Sequence, residues 1–143
     1  MLELGAGTGL VGLLAARRAA QVVLTDVGAD VLRNCARNVA CAGLDARVRV
    51  RSLDWTAPPP WARGRAQSAG DYDWSEADAE ALRATSVLLV ADCVYDDALT
   101  DALWSTVEAL FALCPALRAY VSVERRINVS AADLTGAQHT QLF

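Results

Sequence analysis

Short runs of β-branched and leucine-rich sequence alternate with longer stretches of helical spacing along most of the chain. Leu2-Glu3-Leu4 reads as the end of a strand, followed by a glycine-rich turn over residues 5–9 and a helix over residues 10–18. A second strand covers residues 21–25 and ends at Asp26. Residues 29–42 carry helical spacing. Val31, Leu32, Cys35, Val39 and Ala42 share one face, Arg33 and Arg37 lie outside it, and Gly43 supplies a left-handed cap. Residues 46–53 alternate, with Val48 and Val50 pointing one way and Arg47, Arg49 and Arg51 the other, which predicts a strand with one solvated face. Pro58-Pro59-Pro60 and the polar sequence after it mark residues 56–73 as a loop. Ser75, with Asp78 three residues on, predicts a capped helix over residues 76–83. Residues 86–91 are nearly all apolar, as a central parallel strand buried on both faces would be. Asp97 is expected to cap a helix running to about Leu113, and residues 117–124 read as a fifth strand. Residues 131–143 are weakly patterned and read as a tail beyond a core of residues 1–130.

Five strands joined by helical crossovers predict an α/β fold: a doubly wound, mainly parallel sheet with helices on both faces. A length of 143 residues and 54% apolar content fit one packed domain and exclude disorder. No apolar run approaches the ~20 residues a membrane-spanning helix needs, and the N-terminus has no basic leader pattern. The net charge is −4, and all 13 basic residues are Arg. That balance argues against binding a nucleic-acid backbone but leaves room for a basic protein substrate. Cys35, Cys41, Cys93 and Cys114 form no Cys-x-x-Cys pair, and the single His139 lies far off in the tail. Buried reduced thiols of an intracellular protein are therefore expected, with no metal site and no disulfide framework.

A doubly wound sheet binds ligands at the carboxyl ends of its strands, near the point where strand order reverses. After the first strand, Gly5-Ala6-Gly7-Thr8-Gly9 lets the backbone turn tightly and approach a ligand closely. The alternative is a turn that only needs positive φ. After the second strand, Asp26 can accept both hydroxyls of a ribose, whether of NAD or of S-adenosylmethionine, or can simply be an exposed acid near the start of a helix. After the third, Asp54 can accept from an adenine amino group and Trp55 can pack on the purine, unless the indole merely closes the sheet. After the fourth, Asp92 is poorly explained by packing, and Asp92 and Tyr95 could both face the crevice. Asp96, Asp97 and Asp101 are explained as acids at a helix start.

Together these residues resemble the seven-strand, S-adenosylmethionine-dependent methyltransferases, and among them the protein-lysine methyltransferases that carry Asp-x-x-Tyr after strand four. Glu3-Leu4-Gly5-Ala6-Gly7-Thr8-Gly9 matches the family's first motif, Asp26 its ribose-binding acid, Asp54-Trp55 its adenine-side step, and Asp92-Cys93-Val94-Tyr95 its Asp-x-x-Tyr. Longer strings, among them Tyr95 to Asp101 and Ser122 to Asn128, are similar to one narrow branch of that family. The resemblance implies S-adenosylmethionine as cofactor and methyl transfer to a lysine of a protein substrate. It implies cofactor contacts from Glu3, Gly5, Ala6, Gly7, Thr8, Gly9, Asp26, Val27, Asp54, Trp55 and Ala91, catalytic roles for Asp92 and Tyr95, and no metal. The branch implies a nuclear DNA/RNA-binding protein as substrate, with no direct nucleic-acid contact, no membrane, a monomer, and a location in nucleus and cytoplasm. Glu124 could line an acidic channel or pair with Arg125, Arg126 or another arginine. Measured against the family, five of seven strands are present, and residues 58–69 read as an insertion. A chain truncated at both ends is therefore expected.

Other functions fit less well. A nucleic-acid amino-methyltransferase would carry Asn/Asp-Pro-Pro-aromatic where this chain has Asp92-Cys93-Val94-Tyr95, and an NAD oxidoreductase would carry glycine where it has Leu10. A small-molecule methyltransferase and a non-catalytic or truncated cofactor-binding module remain as alternatives.

Overall fold

The computed structural model describes residues 1–61 and 70–124. Its elements, in chain order, are β1 (Leu2–Leu4), α1 (Leu10–Ala15), β2 (Val22–Asp26), α2 (Ala29–Cys41), β3 (Val48–Ser52), α3 (Glu76–Arg83), β4 (Val87–Ala91), α4 (Asp97–Leu113) and β5 (Arg118–Ser122). The strands form one sheet in the order β3-β2-β1-β4-β5, and every neighbouring pair is parallel. From β1 the chain winds outward to β2 and β3, then returns to the far side of β1 as β4. Strand order therefore reverses between β1 and β4, where such sheets open a crevice. Leu4 pairs with both Thr25 and Val90, so the turns after β1, β2 and β4 emerge at one edge.

The two faces are covered differently. Leu2, Leu4, Val23, Leu88 and Val90 pack with Leu82 of α3 and Leu103, Val107 and Leu110 of α4. On the other face, Val22, Leu24, Val48 and Val50 pack with Leu32, Cys35 and Val39 of α2 and Leu13 of α1. This second layer lies over β1–β3 and stops short of β4. The expected double burial of β4 is therefore only half met: Leu88 and Val90 are buried, while Val87, Leu89 and Ala91 stay partly exposed.

Other expectations shift for local reasons. Helix α1 ends at Ala15, because Arg17 and Arg18 donate to Leu14 and Ala15 in tight turns rather than continuing the helix. The buried seam of α2 is Leu32, Cys35 and Val39, and Val31 and Ala42 lie outside it. Cys41 is exposed, unlike the other three cysteines. Asp96, not Asp97, caps α4, its Oδ1 accepting from the Leu99 N–H at 2.8 Å.

The largest departure concerns β3. Arg49 and Arg51 do not face water alone; their guanidiniums reach Asp78 of α3 at 2.8 and 2.7 Å. Asp78 is fully buried and also accepts from the Ser75 N–H and hydroxyl in the predicted capping box. An alternating strand pattern distinguishes its two faces but does not say whether water or a charged helix covers the second. The loop expected over residues 56–73 is borne out where described, and its far end is pinned by the Ser52 N–H donating to the Tyr72 carbonyl. Most of the expected insertion at 58–69 and all of the expected tail at 131–143 lie outside the described residues.

Gly12 has a tight environment. A Cβ there would collide with the Leu24 side chain and the Glu3 carboxylate. In an open helix, Gly→Ala would stabilise by roughly 1 kcal/mol. Here the overpacking term, about 1–3 kcal/mol, decides the sign. Gly12→Ala is expected to lower the thermal midpoint followed by circular dichroism; an unchanged or raised midpoint would show that α1 is not seated against β1 and β2 as described.

Candidate active site

The turn after β1 is built by positive backbone angles: φ is +63° at Gly5, +53° at Gly7 and +83° at Gly9. At Gly5 a side chain is disfavoured by space as well as by φ, because a Cβ would stand 2.5 Å from the Cys93 sulfur, with the Trp55 ring in contact at 3.4 Å. The turn is tied to β2. The Ala6 N–H donates to the Thr25 carbonyl at 2.9 Å, and the Gly7 N–H donates to Asp26 Oδ2 at 2.7 Å. Asp26 Oδ1 accepts from the Val27 N–H at 2.7 Å. Each carboxylate oxygen of Asp26 thus accepts one backbone N–H and has a further lone pair to offer. Asp26 is both a clamp on the glycine turn and an acceptor facing the cleft, and the first role was not visible in the sequence.

One cleft is lined by Gly5, Asp26, Val27, Leu53, Asp54, Trp55, Asp92, Cys93, Tyr95 and Leu99. It therefore joins residues singled out after all four strands. The Trp55 ring lies against Gly5, partly buried, with its indole N–H buried and without a partner. Asp54 is exposed, its Oδ1 accepting from the Thr56 N–H and hydroxyl. Asp92 has φ +56°, the one non-glycine positive angle among the described residues, and its N–H donates to the Ser122 carbonyl at 2.8 Å. Such an angle costs a side-chain-bearing residue free energy, and Asp and Asn tolerate it best. Tyr95 is 58% exposed at the cleft mouth.

Some singled-out residues do not line the cleft. Ala6, Gly7, Thr8 and Gly9 form the turn behind it, and Ala91 ends β4 just below. Glu124 is exposed beyond the end of β5 and is not on the cleft wall, while Arg125 and Arg126 lie outside the described residues. Leu53, Cys93 and Leu99 are on the wall although the sequence did not single them out. Leu53 and Cys93 each adjoin a predicted site residue, which is the one signal they offered. The Cys93 thiol donates to the Leu4 carbonyl at 3.3 Å, joining the β4 turn to the end of β1.

Glu3 sits under the glycine turn, 2% exposed, with Oε2 lacking a partner. Burial pushes its carboxyl up to about 7, opposed by a backbone bond from Gly12 and reinforced by the nearby Asp26 charge. A raised carboxyl pKa contributes stability that is present below the unfolded value of 4.5 and lost as pH rises through 7. Glu3→Gln is expected to raise the thermal midpoint at pH 8 and to leave it nearly unchanged at pH 4.5. An equal effect at both values would show that Glu3 ionisation is not what differs between folded and unfolded chain. Burial also pushes the Cys35 and Cys93 thiols up to about 11, so both are neutral at pH 7 and neither suits nucleophilic catalysis.

The lysine methyltransferase family model matches residues 1–67. Methyltransferase-like protein 22 of Mus musculus is 42% identical over 141 residues, covering 94% of this chain and 35% of the relative. Its Homo sapiens counterpart is 39% identical over 140 residues, covering 93% and 34%. Protein N-lysine methyltransferase METTL21A of Xenopus tropicalis is 48% identical over 58 residues, covering 38% of this chain and 26% of the relative. The chain thus spans about a third of the length of the two relatives that match nearly all of it. The methyltransferase resemblance read from the sequence is borne out, and the five-stranded parallel sheet with helices on both faces is consistent with a Rossmann-like methyltransferase fold. Among the described residues no helix is long and apolar enough to cross a membrane.

Proposed function

We propose that this chain is the cofactor-holding core of an S-adenosylmethionine-dependent enzyme that methylates a lysine side chain of a protein. The observation carrying the proposal is the convergence of Gly5 of the glycine turn, Asp26, Trp55, Asp92 and Tyr95 around one cleft at the strand-order reversal. The residues present fit such a cofactor. A Cβ at Gly7 would meet nothing within 4 Å, so the turn leaves open space for a ligand. Asp26 has acceptor capacity left for ribose hydroxyls, and the Trp55 N–H and Glu3 Oε2 are buried without a hydrogen-bond partner. Glu3, Gly5 and Gly7 would hold the cationic amino-acid end, Asp26 and Val27 the ribose, and Asp54 and Trp55 the adenine. Ala6, Thr8, Gly9 and Ala91 would shape the backbone around it.

Bound there, the cofactor supplies an electrophilic methyl on a sulfonium. The protein must then present an uncharged amine, and a lysine with a solution pKa of ~10.4 must first lose a proton. Asp92 and Tyr95 line the side of the cleft left for the amine. Both orient it by hydrogen bonds, and the Asp92 carboxylate takes its proton, directly or through water. A nuclear nucleic-acid-binding protein as substrate, a monomeric state, and residence in nucleus and cytoplasm extend the proposal and rest on the family resemblance alone.

Isothermal titration with S-adenosylmethionine tests the cofactor half. One equivalent is expected to bind, and Asp26→Ala is expected to weaken binding by about 10–100-fold, the worth of one or two charge-assisted hydrogen bonds. A folded chain that gives no heat would contradict the proposal.

A further inference from the structure

Helix α4 begins two residues past Tyr95 of the Asp-x-x-Tyr turn, and Leu99 in its first turn lines the cleft. Its outward face is not that of an ordinary solvated helix. Asp97, Asp101, Trp104, Glu108 and Phe111 recur at spacings of four, three, four and three, which places them in one stripe. All five are exposed, Trp104 at 40% and Phe111 at 45%. The helix has Leu103, Val107 and Leu110 for its core side, so the two aromatic rings are surplus to packing against the sheet. None of the three carboxylates belongs to an ion pair among the described residues. The charge is segregated as well: residues 84–117 carry five acids and no base.

The first-turn position of Asp97 is explained by the helix dipole, but that explanation ends within one turn. Asp101 and Glu108 lie beyond that first turn, where the dipole gives an acid no support. Exposed rings interleaved with unpaired carboxylates suit a partner that brings cations on flexible stems. Guanidinium and ammonium groups pair with the acids and stack on the rings. We propose that this stripe docks a basic, Arg/Lys-rich segment of the protein substrate adjoining the lysine to be methylated. The proposal rests on the methyltransferase reading and names the substrate class for that site. From Asp97 to Phe111 the helix rises about 21 Å, which an extended peptide covers in about six residues. The basic residues recognised should therefore lie within about six positions of the target lysine, on one side of it.

The test uses two fluorescent peptides, each with one central lysine. One carries arginines over the six residues on a single side, and the other carries glutamines there; each is made in both orientations. Fluorescence anisotropy measures binding to the intact chain, and labelled S-adenosylmethionine measures methyl transfer. The arginine peptide in one orientation is expected to bind at least about tenfold more tightly than its glutamine counterpart, and less so as salt rises. Asp97→Asn/Asp101→Asn/Glu108→Gln and, separately, Trp104→Ser/Phe111→Ser are expected to remove most of that preference, with unchanged S-adenosylmethionine binding confirming an intact fold and cofactor site. Arginine preference that survives both sets of substitutions would overturn the docking proposal while leaving the methyltransferase reading intact. So would self-association of the chain, seen by sedimentation, that the Trp104/Phe111 variant abolishes, since the stripe would then belong to a second copy. Peptide binding that depends on the stripe in a chain that binds no S-adenosylmethionine would support the docking surface and contradict the methyltransferase reading.

Discussion

Asp92→Asn is expected to cut methyl transfer to a protein lysine by at least about a hundredfold while S-adenosylmethionine still binds within a few-fold of wild type. Asparagine is the informative replacement because Asp92 holds φ +56°. Asn keeps that left-handed conformation at little cost, so the turn survives while the charge and the basic oxygen are removed. Ala would add backbone strain and blur the result. Asp92 is well placed for the role. It stands just past the end of β4 beside the strand-order reversal and lines the same cleft as Tyr95 and Gly5. A loss of cofactor binding equal to the loss of turnover would move Asp92 from the reacting centre to the cofactor pocket. Retained turnover would remove it from the mechanism.

Asp78→Ala is expected to produce the largest loss of stability. Removing one member of a buried charge network typically costs 3–5 kcal/mol, because the partners are left without compensation. Asp78 is fully buried and joins four donors: Arg49, Arg51 and both the N–H and hydroxyl of Ser75. It is therefore the main fastening of α3 to β3. Domains have only about 5–15 kcal/mol in all, so the variant should unfold at markedly lower urea and could be unfolded at 37 °C. The acid response gives a second signature. Burial by itself would raise the Asp78 carboxyl, but bonds from Arg51, Ser75 and Arg49 outweigh it and hold the group well below the usual carboxylate range. A depressed carboxyl contributes stability that is present above the unfolded value and lost as pH falls toward the folded one. Wild type should thus lose stability steeply below about pH 4, and Asp78→Ala should show a flatter acid limb. Matching acid limbs would show that the arginine pairs do not persist in solution.

The site was more legible in the sequence than the surroundings that hold it. Turns after parallel strands are written locally: positive-φ glycines, and acids that no packing argument explains, stand next to one another in the chain. For that reason the cleft gathers Gly5, Asp26, Asp54, Trp55, Asp92 and Tyr95 as expected. What the sequence hid was tertiary. Arg49 and Arg51 alternate with valines just as solvent-facing residues would, and only the return of α3 from residue 76 turns them inward onto Asp78. Asp26 looked like a free acceptor, yet the Gly7 N–H 19 residues earlier makes it a clamp as well. Glu3 carried no periodicity signal for its burial, because a three-residue strand has too few positions to show one. The incomplete cover of β4 was likewise unreadable, since an apolar run does not reveal how far a neighbouring helix layer extends.

The central claim is methyl transfer to lysine through this cleft. The direct measurement is incubation of the chain with deuterated-methyl S-adenosylmethionine and a lysine-bearing protein extract, followed by mass spectrometry of the digested products. Deuteromethyl groups are expected on lysine side chains of extract proteins with wild type and are expected to be lost with Asp92→Asn. Label confined to small molecules, label on residues other than lysine, or lysine label unchanged in Asp92→Asn would contradict it.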